Sequence, residues 1–142
     1  MSNNVLQFKI ATPEKVVYED EINQVSIPTT SGEITILPNH IPLVSVVQAG
    51  ELKIVDKDGE HVLAVAGGFL EVRDNNEIVI LADNAERAEE IDLERAEQAR
   101  ERATKELEQA KSMENVDFAK LQVVLDREMN RIRVGKKYKK IK

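Results

Sequence analysis

A chain of 142 residues, 42% hydrophobic and 32% charged, suits one ordinary domain or a small core with an appendage, and excludes a large enzyme. With no cysteine it can form neither disulfides nor thiolate metal sites, and with only His40 and His61 a metal centre would have to rest on carboxylates. The net charge of −6 is unevenly spread, −8 over residues 1–84 and +2 over residues 85–142, so the chain has two electrostatic halves.

The N-terminus, MSNNVLQFKI, carries no basic segment followed by an apolar run, and no window approaches the roughly 18 apolar residues of a membrane span. A soluble protein is expected, with membrane association only through a partner. From Val5 to about Leu81 the sequence reads as short strands. NQVSIP, EITIL, ELKIV and EIVIL alternate and are rich in β-branched residues, which suit a half-buried pleated surface. Asp58-Gly59, between ELKIVDK and EHVLAVA, supplies positive φ for a hairpin, and Asp74-Asn75-Asn76 plays a similar part before EIVIL. Pro13, Pro28, Pro38 and Pro42 fall at strand edges or loops. Short strands without intervening helical pattern favour an antiparallel β-sandwich or barrel.

After Asp83 the composition changes, because Gly and Pro vanish until Gly135 while Ala, Glu and Arg take over. Asp92 is a suitable N-cap, with Ile91 and Ala96 placed as a hydrophobic staple. Ala96, Ala99, Ala103, Leu107 and Ala110 then recur at spacings of three and four, a narrow stripe against which a partner helix can pack closely. The segment SMENVD reads as a turn, and Phe118, Leu121, Leu125, Met129 and Ile132 form a larger apolar stripe beyond it. Residues 85–142 are therefore expected to fold as a two-helix antiparallel hairpin after a sandwich spanning 1–84. The first stripe buries mainly alanine methyls, each contributing about 1 kcal/mol at best, so the hairpin coheres weakly and its conformation is easily shifted. Positions 131–142 hold seven basic residues and no acid, a tail suited to a negative surface or to solubility alone.

Three ordered segments, GEITILPNHIPLVS, LAVAGGFLEV and IVILADNAERAEEIDLERA, resemble the epsilon subunit of F-type ATP synthases, and the similarity covers approximately residues 5–134. Asn39 stands where that family usually has Gly, and Asn tolerates positive φ, so the turn should survive; Thr35 also replaces a frequent Gly. The resemblance implies a rotor subunit at the foot of the central stalk. Its sandwich would touch the gamma subunit and the c ring. Its hairpin would either fold down or rise toward the alpha and beta subunits and resist ATP hydrolysis. It further implies peripheral placement on the cytoplasmic face of the bacterial cell membrane and no nucleic-acid partner. Glu33 and His40 match the family edge that faces the c ring.

Ile91-Asp92-Leu93-Glu94-Arg95-Ala96 also fits the I/L-D-x-x-R-A pattern of the ATP-binding, Bacillus-like type. Arg95 and Arg102 share one helix face and Arg127 and Arg131 share another, so a closed hairpin could bring the four guanidiniums toward one triphosphate. On the resemblance Glu86, Asp92, Arg95, Ala96, Arg102, Arg127 and Arg131 are the nucleotide-contacting positions, with ATP as a regulatory ligand and its need for Mg²⁺ left open. Taken singly they are ordinary surface residues; Arg102, for example, could pair with Gln98 or Glu106. With no GxxxxGK[ST] loop and no evident base, no catalytic residue is expected. The alternative is a freestanding ATP-binding sensor with another partner.

Overall fold

The structure, a computed structural model, describes residues 5–110 and 117–141, the side chains of 139–141 excepted. The chain divides into two compact units between Arg87 and Ala88, three residues beyond the expected boundary after residue 84, because the last strand continues to Arg87.

The first unit is built from β1 (Leu6–Ala11), β2 (Val16–Ile22), β3 (Gln24–Thr29), β4 (Gly32–Ile36), β5 (Leu43–Val46), β6 (Gly50–Asp56), β7 (Gly59–Arg73) and β8 (Glu77–Arg87). Hydrogen-bonded neighbours run β2-β1-β8-β7-β6-β3-β4, with β5 added to β7. The pairing is antiparallel except for β1 with β8, which is parallel. The expected sandwich is therefore one continuous sheet folded on itself. Alternation supplies its interior: Leu6, Phe8 and Ile10 of β1, Leu52 and Ile54 of β6, and Ile78 and Ile80 of β8 are all buried.

β7, at 15 residues, shows how the sheet folds over. Its core-cluster side chains change from odd, Leu63 and Val65, to even, Leu70 and Val72, although Ala64 is buried as well, and in β8 they change from Ile78, Ile80 and Ala82 to the half-buried Ala85. Between the two sets lie Gly67 and Gly68 at φ +71° and +121°, where a Cβ on Gly68 would overlap the Leu81 carbonyl oxygen. The Gly-Gly pair thus sits inside one long strand. The turns follow local chemistry. Lys57-Asp58 closes the β6–β7 hairpin, with Gly59 paired to Asp56 at φ +120°, and Asn39, Asn75 and Asn76 all take positive φ.

A polar cluster ties β2 to this hairpin. Asp56, its side chain 7% exposed, accepts a hydrogen bond from the Tyr18 hydroxyl (2.9 Å) and one from the Asp58 amide (2.8 Å). His61 Nε2 stands 2.9 Å away, at an angle better suited to electrostatic contact than to a hydrogen bond. Burial would raise the Asp56 pKa, but the Asp58 amide, Tyr18 and His61 outweigh it and hold the carboxyl below its ordinary value. Burial and the neighbouring carboxylate push the Tyr18 hydroxyl up. A carboxyl with a folded pKa below its unfolded one adds stability above the unfolded value and loses it as pH falls through the folded one. Asp56→Asn is therefore expected to cost about 1 kcal/mol at neutral pH and to flatten the acid limb of the sandwich's stability. Urea unfolding between neutral and acidic pH checks this.

The second unit holds a 3-10 turn (Ala88–Glu90), α1 (Leu93–Ala110) and α2 (Phe118–Ile141). Asp92 caps α1 as expected, its Oδ1 accepting the Arg95 amide at 3.1 Å, and Ile91 and Ala96 are both buried. Asp117 caps α2 in the same way through the Lys120 amide. The remainder of SMENVD, residues 112–116, lies outside the described residues. The helices are antiparallel, since Gly135 near the end of α2 packs against Ile91 and Leu93 at the start of α1.

The inner line of α1 is the expected one, with Ala96, Ala103 and Ala110 buried and Ala99 and Leu107 half-buried. That of α2 differs. Phe118 and Met129 are exposed, and the line that packs on α1 holds Glu128, Ile132 and Gly135, continued by the half-buried Leu121, Val124 and Leu125; Asn130 and Val134 are also buried, off that line. A carboxylate occupies the middle of the helix face where an apolar side chain was expected.

Candidate functional site

That buried carboxylate organises half of the arginine set. Glu128, with a side chain 4% exposed, holds Arg131 Nη1 at 2.8 Å from Oε2 and Arg127 Nε at 3.4 Å from Oε1. Arg127 and Arg131 are half-buried beside it. On α1, Arg95 and Arg102 are exposed, and their guanidiniums make no hydrogen bond or ion pair among the described residues; the pairing of Arg102 with Gln98 or Glu106 does not form. Cations without partners on one helix thus accompany cations already neutralised on the other.

Whether the two sets meet follows from the ion pair between Lys136 Nζ and Glu97 Oε1 at 3.5 Å, which fixes one flank of the helix pair. With 3.6 residues per turn, Glu97 lies about 100° to one side of Ala96, while Arg95 lies about 100° to the other. On α2, measured from Glu128, Lys136 lies about 80° to one side, while Arg127 lies about 100° and Arg131 about 60° to the other. Antiparallel helices bring like-directed flanks together. All four arginines therefore share the flank opposite the Lys136–Glu97 pair. They also lie at similar heights, because Gly135 is level with Leu93 and the numbering runs in opposite directions from there.

Of the remaining nucleotide candidates, Asp92 uses Oδ1 as the α1 cap, and Ala96 is buried in the α1 inner line. Glu86 belongs to the sandwich unit, half-buried in β8 opposite Ala64. In the sandwich, Glu33 lies exposed in β4, paired with Pro28 of β3. His40 lies in the loop after β4, its Nδ1 2.6 Å from the Ile41 carbonyl oxygen. The Asn39 amide ties that loop to the β7–β8 turn through Asn76 Oδ1 at 2.6 Å. No hydrogen bond or ion pair among the described residues joins Glu33 to His40.

Sequence reasoning missed an exposed apolar row across three strands, in which Val46 pairs with Phe69 and Phe69 with Leu81. Their exposures are 44%, 62% and 61%, and Val44, 71% exposed, lies two residues from Val46 on the same face. The signal available was apolar residues at outward-facing strand positions, which cost hydration unless a partner covers them. No group of three His, Cys, Asp or Glu side chains among the described residues is arranged to hold a metal ion, and no described helix is long and apolar enough to cross a membrane.

Comparison with known proteins agrees with this division. Residues 5–88 match the model of the ATP synthase delta/epsilon chain β-sandwich domain, and residues 89–136 that of the delta/epsilon chain long α-helix domain. The ATP synthase epsilon chain of Halalkalibacterium halodurans is 43% identical over 130 residues, covering 92% of this chain and 96% of its own length. That of Herpetosiphon aurantiacus is 44% identical over 131 residues, covering 92% and 94%. Among solved structures, a chain of the Euglena gracilis mitochondrial ATP synthase OSCP/F1/c-ring assembly has a TM-score of 0.74 at 21% identity, covering 89% of this chain and 79% of that one. A chain of the Tetrahymena thermophila mitochondrial ATP synthase central stalk and c ring has a TM-score of 0.59 at 16% identity, covering 94% and 95%.

Proposed function

The chain belongs to the ATP synthase delta/epsilon family as a non-catalytic epsilon subunit, and from that premise we propose that it is a central-stalk coupling piece carrying a nucleotide-sensitive brake. The sandwich docks on the gamma subunit and the c ring. The apolar row of Val44, Val46, Phe69 and Leu81 provides burial, and the edges bearing Glu33 and His40 provide polar contacts. Through these partners the subunit sits peripherally on the cytoplasmic face of the cell membrane.

The hairpin is the brake. Three buried alanines, Ile132 and a few half-buried leucines hold α1 to α2, contributing little enough that an external ligand can decide between closed and raised forms. ATP favours the closed form by bridging the arginines of the two helices, with Asp92 and Glu86 suited to its ribose or adenine edges. At a hundredfold excess over its dissociation constant it adds about 2.7 kcal/mol to that form. When ATP is depleted the hairpin opens, and the basic face of α2 meets acidic surfaces of the alpha and beta subunits, opposing hydrolysis.

The observation that carries this reading is the presence of four arginines on one flank of a weakly packed helix pair, with no matching acids for Arg95 and Arg102. Titration of the isolated chain with ATP is expected to move the amide signals of Arg95, Arg102, Arg127 and Arg131 together. If none moves at cellular ATP concentrations, the nucleotide part of the proposal fails. A tagged chain is expected to co-purify with gamma; a chain that binds ATP without retrieving gamma would be the freestanding sensor instead.

A further inference from the structure

The arginine flank already contains an anion, and that anion belongs to the chain. Glu128 is 3% exposed, sits on the inner line of α2 against a helix of alanines, and has Arg127 and Arg131 as its polar partners. At most helix positions an arginine at i+3 from a glutamate is a solvated surface pair of small consequence. Here the carboxylate is out of water, so its charge has to be balanced by those two guanidiniums.

A ligand that takes both guanidiniums therefore meets a competitor. Glu128 occupies Arg127 Nε and Arg131 Nη1, and a phosphate that takes those donors, or turns either guanidinium to aim its fork at itself, leaves a buried carboxylate short of partners. We propose that Glu128 is the resident anion of this flank, displaced or shared when a polyphosphate binds, and that it sets the ligand affinity of the hairpin downward while holding the empty hairpin closed. The inference rests on the nucleotide reading given above and adds the residue that tunes it. It also orders the arginines by role. Arg95 and Arg102 are open to a first encounter with the ligand, whereas Arg127 and Arg131 engage it while shared with, or drawn away from, the internal pair.

The direction of the effect separates this role from a structural one, since loss of a merely structural glutamate would weaken ligand binding along with the fold. Full-length wild-type chain and the Glu128→Gln variant are titrated with ATP, following arginine amides in the hairpin and core amides of the sandwich. The variant is expected to bind ATP about tenfold more tightly or better, while its empty hairpin opens more readily. Glu128→Asp keeps the charge but shortens the reach, and should fall between the two; it carries the test if the Gln variant fails to keep a helical hairpin. Wild-type-like or weaker affinity in both variants, with wild type responding, overturns the inference and leaves the nucleotide reading standing. No response in any of the three overturns both.

Discussion

Cutting the chain after Arg87 is expected to leave a folded sandwich that still assembles, and to raise ATP hydrolysis by the complex about fivefold or more at low ATP. That factor corresponds to about 1 kcal/mol of stabilisation of the inhibited state. The position of the cut matters. Arg87 donates from Nη2 to the Val17 carbonyl oxygen at 3.3 Å and lies 5.3 Å from the Tyr18 ring centroid, and residues 85–87 pair with Leu63–Val65. A cut after residue 84, the expected end of the sandwich, would remove that pairing and confuse loss of the brake with damage to the sandwich. Unchanged hydrolysis in the Arg87 truncation, with the subunit present in the complex, would show that the helical unit does not restrain the motor.

Replacing single arginines is expected to separate binding from cohesion. Arg95→Ala removes a guanidinium with no partner, so ATP affinity should fall about tenfold or more while the empty hairpin keeps its protection from solvent exchange. Arg131→Ala should lose affinity by at least as much and also loosen the empty hairpin. It leaves Glu128 buried with Arg127 Nε at 3.4 Å as its remaining contact. Breaking a fully buried pair costs about 3–5 kcal/mol. Because Arg131 is 24% exposed and Arg127 stays, about 2 kcal/mol is expected here. Equal loss of protection in both variants would mean that the two arginines play the same part and that the buried pair adds nothing to closure.

Much of this architecture was legible in the sequence because its rules are local. Alternation in ELKIV and EIVIL gave strands, the asparagines gave positive-φ turns, and the Asp92 cap with its alanine stripe gave α1 down to the buried residues. Long-range facts were less accessible. Nothing local announces that β1 pairs in parallel with β8, or that Gly67-Gly68 lies within one strand that changes its buried face there. The α2 stripe was misread by one position because Met129 is apolar and Glu128 is charged. Tertiary context reversed the preference, as two arginines on the same helix balance the charge of a buried carboxylate. The candidate arginines were all visible as a motif and a spacing. Their division into unpaired and neutralised pairs was not, because it depends on which flank of α2 faces α1.

The central claim is that a ligand, rather than internal packing, decides whether α1 and α2 stay together. Amide hydrogen exchange of the isolated chain, measured with and without ATP, tests it most directly. Amides within Leu93–Ala110 and Phe118–Tyr138 are expected to exchange at least about tenfold more slowly with ATP, while core amides such as those of Phe8, Leu52 and Ile80 do not change. Equal protection of the two helices in both conditions would contradict it.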